Sequence, residues 1–182
     1  YRLEGDFHAN ATSALLLTAF MRAMALDHKP HPAVAAMQGM SGRKYRYLIN
    51  NMVESTKDPR YLEVGSWAGS TACAAIFRNQ LKLVCIDNWA EFGGPKDSFL
   101  ANINAVRTDG VDFTFIESDF RKVDFSAIGR FNIYLFDGPH EEQDQYDGVV
   151  IAQPALDDLY LLIVDDWNWP AVRAGTLRAL AD

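Results

Sequence analysis

Two short stretches hold side chains whose types and spacing suit them to chemistry. In "NIYLFDGPHEE", residues 132–142, an apolar run ends at Asp137, and His140 follows three residues later. In "LLIVDDWNW", residues 161–169, a second apolar run ends in the pair Asp165 and Asp166. If the two runs are neighbouring strands, about 4.8 Å apart, the three carboxylates meet at one edge of a sheet. Like charges placed together repel, and each carboxyl would have a raised pKa unless a cation compensates. The economical reading is Mg²⁺ or another hard divalent cation, which takes oxygen ligands and keeps exchangeable waters. A nearby cation and the positive end of a helix both disfavour an imidazolium at His140, although Glu141 and Glu142 favour one, and a neutral imidazole can accept a proton. Taken singly, Asp137 reads as the start of a turn, Asp165-Asp166 as a helix cap, and His140 as a capping or packing residue. Both acidic elements fall at the ligand edge of one sheet, and that coincidence favours the metal.

A third stretch, "EVGSWAGSTACAAIF" at residues 63–77, reads as strand, glycine turn and helix. Gly65 and Gly69 permit a sharp turn and close approach of a ligand to the backbone. Ser66, Ser70 and Thr71 put hydroxyls at a helix amino terminus whose N–H groups face a ligand. The spacing Glu63-x-Gly65-x-x-x-Gly69 departs from the dinucleotide fingerprint and lacks the Gly-Lys-Ser/Thr of a phosphate loop, which disfavours pyrophosphate. The competing reading is a tight corner with no ligand. Trp67, Trp89, Trp167 and Trp169 are candidates for a pocket wall, against the commoner use of single tryptophans in core or rim packing.

The elements that must position these residues follow from periodicity. Apolar residues recur at helical spacing over about 10–27 and again over about 41–54, where Tyr45, Leu48, Ile49, Met52 and Val53 carry the pattern. Between the helices, "DHKPHP" is a proline-broken loop whose His28 and His31 read as a solvated turn rather than a metal site. After Arg60 come five short apolar runs, "YLEVG", "KLVCID", "FTFIES", "NIYLFDG" and "LYLLIVDD", separated by helix-length segments. That alternation predicts an α/β fold: a Rossmann-like, doubly wound, mainly parallel sheet with flanking helices, preceded by N-terminal helices. Nearly unbroken apolarity predicts strands buried on both faces. Each run ends in an acid or glycine at its carboxyl end, the edge where open α/β sheets bind ligands.

The 182 residues, 49% hydrophobic, suffice for one domain with a substantial core, helical over 1–56 and Rossmann-like over 60–182. A net charge of -7 and one short basic cluster, Arg43-Lys44-Tyr45-Arg46, argue against nucleic acid. Ala11 to Leu26 is too short for a membrane span and contains Arg22, so no membrane partner is expected. Cys73 and Cys85 form neither a disulfide framework nor a metal-type spacing, which fits a cytoplasmic protein. No signal peptide is recognisable, but the sequence begins at Tyr1, so that absence carries no argument.

The glycine loop resembles motif I of the class I S-adenosylmethionine-dependent methyltransferases. The Asp137, His140 and Asp165-Asp166 pattern resembles their metal-dependent O-methyltransferase subset, most closely the macrolide sugar O-methyltransferases and the cephalosporin hydroxylase-like proteins. The resemblance covers roughly 39–168. It implies S-adenosyl-L-methionine as cofactor, with Asp87 accepting from the ribose hydroxyls, Asp119 reading the adenine amino group, and Met40 and Ser41 closing over the methionine end. Ser41 as a helix cap is the equal alternative. It further implies a cation at Asp137, Asp165 and Asp166, with Asp137 also near the cofactor's amino group, and His140 as general base. Asp166 departs from the asparagine that the catechol enzymes carry. The implied acceptor is a hydroxyl of a small molecule, whether sugar, polyketide or phenol, handled by a single chain or a homo-oligomer. The family's sheet ends in two further strands after the fifth, so either the sequence is truncated or the sheet is abbreviated. A non-catalytic cofactor-binding or scaffold protein remains the rival reading, and a nucleotide-dependent oxidoreductase is disfavoured by the glycine spacing.

Overall fold

Asn10 caps the first helix by accepting a hydrogen bond from the Ser13 amide at 2.9 Å. The computed structural model describes residues 4–27 and 30–182, so His28 lies outside the described residues. Helix α1 spans Ala11–Met24, α2 Pro32–Ala35 and α3 Arg43–Ser55. His31 caps α2 by accepting from the Ala33 amide through Nδ1, as expected of a turn residue. Arg22 of α1 pairs with Glu54 of α3 at 3.1 Å. The basic cluster is not a patch, because Arg46 turns inward and its guanidinium donates to the Met37 carbonyl at 2.6 Å and to the Ser41 hydroxyl at 2.9 Å.

Strand β1 spans Arg60–Val64, β2 Leu81–Asp87, β3 Val111–Glu117, β4 Phe131–Phe136 and β5 Leu156–Val164. All pairings are parallel, in the order β3-β2-β1-β4-β5. The connecting helices are α4, Ser70–Ile76, α5, Lys96–Val106, and α6, Glu142–Ala152, while α7, Pro170–Ala181, follows β5. The period-two alternation of strand side chains splits the core. Tyr61, Leu83, Cys85, Ile133 and Leu135 face the layer of α1, α3, α4 and α5. Leu62, Val84, Ile86, Tyr134 and Phe136 face the opposite layer.

Burial on both faces holds for β1, β2 and β4, whose side chains are nearly all buried. It does not hold for β3 or β5. Along β3, Asp112, Thr114 and Glu117 reach solvent, and on β5 Leu159 does. Both lie at the ends of the strand order, where packing covers less of each face. No helix among the described residues is long and apolar enough to cross a membrane.

Strand order runs outward from β1 on one side through β2 and β3, and on the other through β4 and β5. The turns after β1 and β4 therefore diverge to opposite faces and open a crevice at the carboxyl ends of the strands, the switch point where such sheets take ligands.

Candidate active site

A cavity of about 440 Å³ opens at that switch point, floored by the ends of β1, β2 and β4. Gly65 begins the loop after β1 at φ +85°, and a Cβ there would lie 1.8 Å from the Asp137 carbonyl oxygen. Only glycine satisfies both constraints. Trp67 follows at φ +44°, and its amide donates to Asp87 Oδ2 at 2.8 Å. The other Asp87 oxygen accepts from the Trp89 amide at 2.7 Å, and the Trp89 indole donates to the Trp67 carbonyl at 3.0 Å. Asp87 thus ties two loops together while lining the cavity.

The hydroxyls expected to face a ligand turn into the fold. Thr71 donates to Glu63 Oε1 at 3.0 Å, Ser70 and Ser41 hydroxyls pair at 3.2 Å, and Ser66 is buried. Glu63 lies wholly within the protein and also accepts from the Tyr61 hydroxyl at 2.9 Å. Desolvation pushes its carboxyl from 4.5 up to about 7, against the hydrogen bonds that favour its ionised form. Gly69 closes the loop at φ +82° against the Phe99 ring, so of this motif Gly65 and Trp67 line the cavity. Ser41 does not cap α3, whose N-cap is Gly42. Instead it holds the 39–41 turn onto α4, where Met40, 70% exposed, projects over the cavity. Asp119 lines the cavity and also accepts from the Arg121 amide at 3.0 Å.

At the other end of the cavity stand the acids and the histidine. His140 Nε2 is 2.9 Å from Asp166 Oδ2 and 4.0 Å from Asp137 Oδ1. Ligand atoms of Asp137, His140 and Asp166 lie within 4.8 Å of one another. Asp165 stands outside this triad. Its Oδ1 accepts from the Asp166 amide at 2.9 Å, and its carboxyl lies against that of Asp137. The convergence therefore joins two of the three expected acids with the histidine, because the left-handed backbone of Asp166, φ +47°, turns successive side chains to different sides.

Burial, then the charges of Asp165, Glu63 and Asp166, push the Asp137 carboxyl from 3.8 up to about 8. Burial also raises Asp165. His140 Nε2 is buried and makes no hydrogen bond, although it lies 2.9 Å from Asp166 Oδ2. Crowded carboxylates are what a bound divalent cation would relieve, so the acids fit such an ion. Among the tryptophans, Trp67 and Trp169 line the cavity and the Trp169 ring lies tilted beside that of His140, centroids 5.0 Å apart, whereas Trp89 packs against Phe99 in the core and Trp167 lies outside the lining. Phe92 and Arg121 also line the cavity without having been singled out. The Gly93-Gly94 pair that follows Phe92 is the signal for its exposed loop.

An open parallel sheet with a crevice at its switch point, acid-lined at both ends, is a Rossmann-like arrangement. Residues 62–167 match the family model described as "Methyltransferase domain", more than half of the chain, and the chain belongs to that family. Its fold is that of the class I methyltransferases. Among solved structures it resembles the S-adenosylhomocysteine-bound methyltransferase PaMTH1 of Podospora anserina, with 16% identity, 98% of this chain and 87% of that one covered, and a TM-score of 0.60. It also resembles the O-methyltransferase TomG of Streptomyces achromogenes, involved in tomaymycin synthesis and solved with S-adenosylmethionine, at 14% identity, 94% and 86% coverage and a TM-score of 0.62. Cofactor-bound Rv0187 from MTB matches at 16% identity, 100% and 81% coverage and a TM-score of 0.60. No curated protein matches the chain.

Proposed function

We propose that this chain transfers the methyl group of S-adenosylmethionine to a hydroxyl of a small molecule, assisted by a divalent cation. The observation that carries the reading is the convergence of Asp137, His140 and Asp166 within 4.8 Å at one end of the cavity floored by Gly65 and Asp87. Membership of a methyltransferase family supports the methyl transfer, and the likeness to TomG is in keeping with an oxygen acceptor. Asp87 and Asp119 line the end suited to the adenosine, and Met40 overhangs the cavity. Asp137, Asp165 and Asp166 would hold Mg²⁺ or another hard divalent cation, which when bound orients the acceptor oxygen and lowers the pKa of its hydroxyl. His140 Nε2, directed at the same point, takes the proton lost as that oxygen attacks the sulfonium methyl in line, and S-adenosylhomocysteine leaves. Trp169 beside His140 shields this end from water. Sugar, polyketide and phenol hydroxyls are all compatible with the chemistry.

The test has two arms. S-adenosylhomocysteine should raise the melting temperature and NAD should not, because a ligand that binds only the native state stabilises it. The reverse result points to an oxidoreductase. Methyl transfer to a panel of hydroxyl acceptors should stop with excess chelator and return with Mg²⁺, and undiminished transfer in chelator contradicts the cation.

A further inference from the structure

Arg46 of α3 is only 2% exposed, and among the described residues its guanidinium meets carbonyl and hydroxyl oxygens rather than a carboxylate. Taking a guanidinium out of water is costly, and a buried one is ordinarily matched by an acid. Here its hydrogen bonds all run to one segment, residues 34–41. Nη1 lies 3.3 Å from each of the Val34 and Ala35 carbonyls, at the end of α2, where the last carbonyls of a helix lack partners. If closing α2 were the whole use of Arg46, those bonds would be the best made. The shorter pair lies beyond that helix: Nη1 donates to the Met37 carbonyl at 2.6 Å and Nε to the Ser41 hydroxyl at 2.9 Å. Met37 and Ser41 bracket Gly39 and Met40.

The bracketed turn lies directly against the start of α4. The Ser41 and Ser70 hydroxyls are 3.2 Å apart, and a Cβ on Gly39 would fall 2.1 Å from Ser70 Oγ and 2.9 Å from Arg46 Nη2. A chain of contacts thus runs from Arg46 through Ser41 to Ser70, the residue that follows the glycine loop after β1. Met40 lines the cavity although it is 70% exposed. A flexible, unbranched side chain so exposed has little packing of its own to keep it there, and its backbone must be fixed from elsewhere. We infer that Arg46 is a positioning residue for the cofactor: by gathering the Met37 carbonyl and the Ser41 hydroxyl in one fork, it holds the 37–41 turn against α4 and keeps Met40 as a cover over bound S-adenosylmethionine. The inference rests on the cofactor reading given under Proposed function, and not on the cation or the acceptor. It assigns the buried face of the N-terminal helices a part in the site. Lysine is no substitute at this position, since one ammonium lacks the spread of donors that a planar fork presents.

Calorimetric titration of the full chain with S-adenosylhomocysteine, paired with thermal melts of the ligand-free protein, would compare the parent with Arg46→Lys, Ser41→Ala, Met40→Ala and Tyr47→Phe. The first three should each weaken binding by roughly 2–10-fold, the worth of one ordinary contact. Arg46→Lys combined with Met40→Ala should bind no more weakly than Met40→Ala alone, because Arg46 acts through Met40. Tyr47→Phe deletes the 3.3 Å bond from the neighbouring α3 side chain to the Pro30 carbonyl. It should melt lower and bind S-adenosylhomocysteine as the parent does, which is the behaviour of a residue that only holds the helices together. Parent-like affinity in Arg46→Lys or Met40→Ala, or losses that multiply in the double variant, overturns the inference. If Arg46→Lys does not fold, Ser41→Ala carries the same comparison with Met40→Ala and the same refuting results. A parent that binds no S-adenosylhomocysteine overturns the cofactor reading and this inference with it, a result distinct from the others.

Discussion

Burial of Glu63 makes a prediction about pH with a definite sign. Its carboxyl, wholly enclosed, is pushed by desolvation from 4.5 to about 7, while Tyr61 and Thr71 donate to it. A carboxyl whose folded pKa lies above its unfolded value binds its proton more tightly in the native state. Native stability from this group is therefore full below about pH 4.5, declines as pH rises, and reaches its floor once pH passes about 7. The span, 7 less 4.5 units at about 1.4 kcal/mol each, is about 3 kcal/mol. No solvent-screening discount applies, since none of the side chain is exposed. Asp137 and Asp165 also have raised pKa values, so the parent's profile alone cannot isolate Glu63. Glu63→Gln keeps the shape, can still accept from one hydroxyl and donate to the other, and does not ionise. Urea unfolding of both proteins in chelator, from about pH 4.5 to about pH 8, should show the parent losing about 3 kcal/mol relative to the variant, with the change concentrated below pH 7. A difference that stays constant with pH, or that moves in the parent's favour, refutes the claim that Glu63 is a buried acid held against its charge.

Asp87→Ala should weaken S-adenosylhomocysteine binding by roughly ten- to a hundredfold, by loss of a charge-assisted hydrogen bond, and should lower stability because the Trp67 and Trp89 amides lose their acceptor. Calorimetric titration and thermal melts check the two effects, and parent-like cofactor affinity removes Asp87 from the site. His140→Ala should lower kcat by about a hundred- to ten-thousandfold, with metal affinity nearly unchanged. Loss of Mn²⁺ affinity in its place would make His140 a ligand rather than a base. Asp166→Ala should weaken metal binding more than cofactor binding, whereas Asp137→Ala should weaken both, as paired titrations with Mn²⁺ and S-adenosylhomocysteine would show. Gly65→Ala should melt markedly lower than the parent or fail to fold, because its Cβ would lie 1.8 Å from the Asp137 carbonyl at φ +85°.

Much of this architecture was legible before any coordinates. Each of the five apolar runs forms a strand, because a strand buried between helix layers leaves a short apolar block bounded by turn residues, and that block reads off directly. The acids and glycines at or just after the ends of those runs fall together at one edge of the sheet, where Gly65, Asp87, Asp119 and Asp137 all line the cavity. What was not legible depends on where side chains turn after the strands end. Ser70 and Thr71 sit at a helix start, but Thr71 turns to Glu63 and Ser70 to Ser41. Neither direction has a periodicity to betray it. Asp165 and Asp166 are adjacent in sequence, and only the left-handed backbone of Asp166 decides which of them meets His140. Tyr45 fits the apolar stripe of α3, and helical spacing gives no sign that its hydroxyl is buried without a hydrogen-bond partner.

The contact between Gly65 and Asp137 also bears on how the two ends of the cavity act together. The Asp137 amide donates to the Val64 carbonyl at 2.8 Å, and the Gly65 amide donates to the Ile86 carbonyl at 2.9 Å. The glycine loop and the first acid of the Asp137, Asp165 and Asp166 cluster are therefore joined through the ladder of β2, β1 and β4, with no side chain between Gly65 and the Asp137 backbone. In a methyl transfer the donor carbon and acceptor oxygen must meet in line, and small misplacements are costly. A spacing set by the backbone of a central, fully buried strand pair is stiffer than one set by rotamers or a surface loop. The exposed parts, Met40, Phe92 and Trp169, can then vary with the acceptor while the distance between the two reacting groups stays constant. On this argument, substitutions at Gly65 should disturb cation binding as well as cofactor binding, whereas substitutions at Phe92 should alter acceptor preference alone.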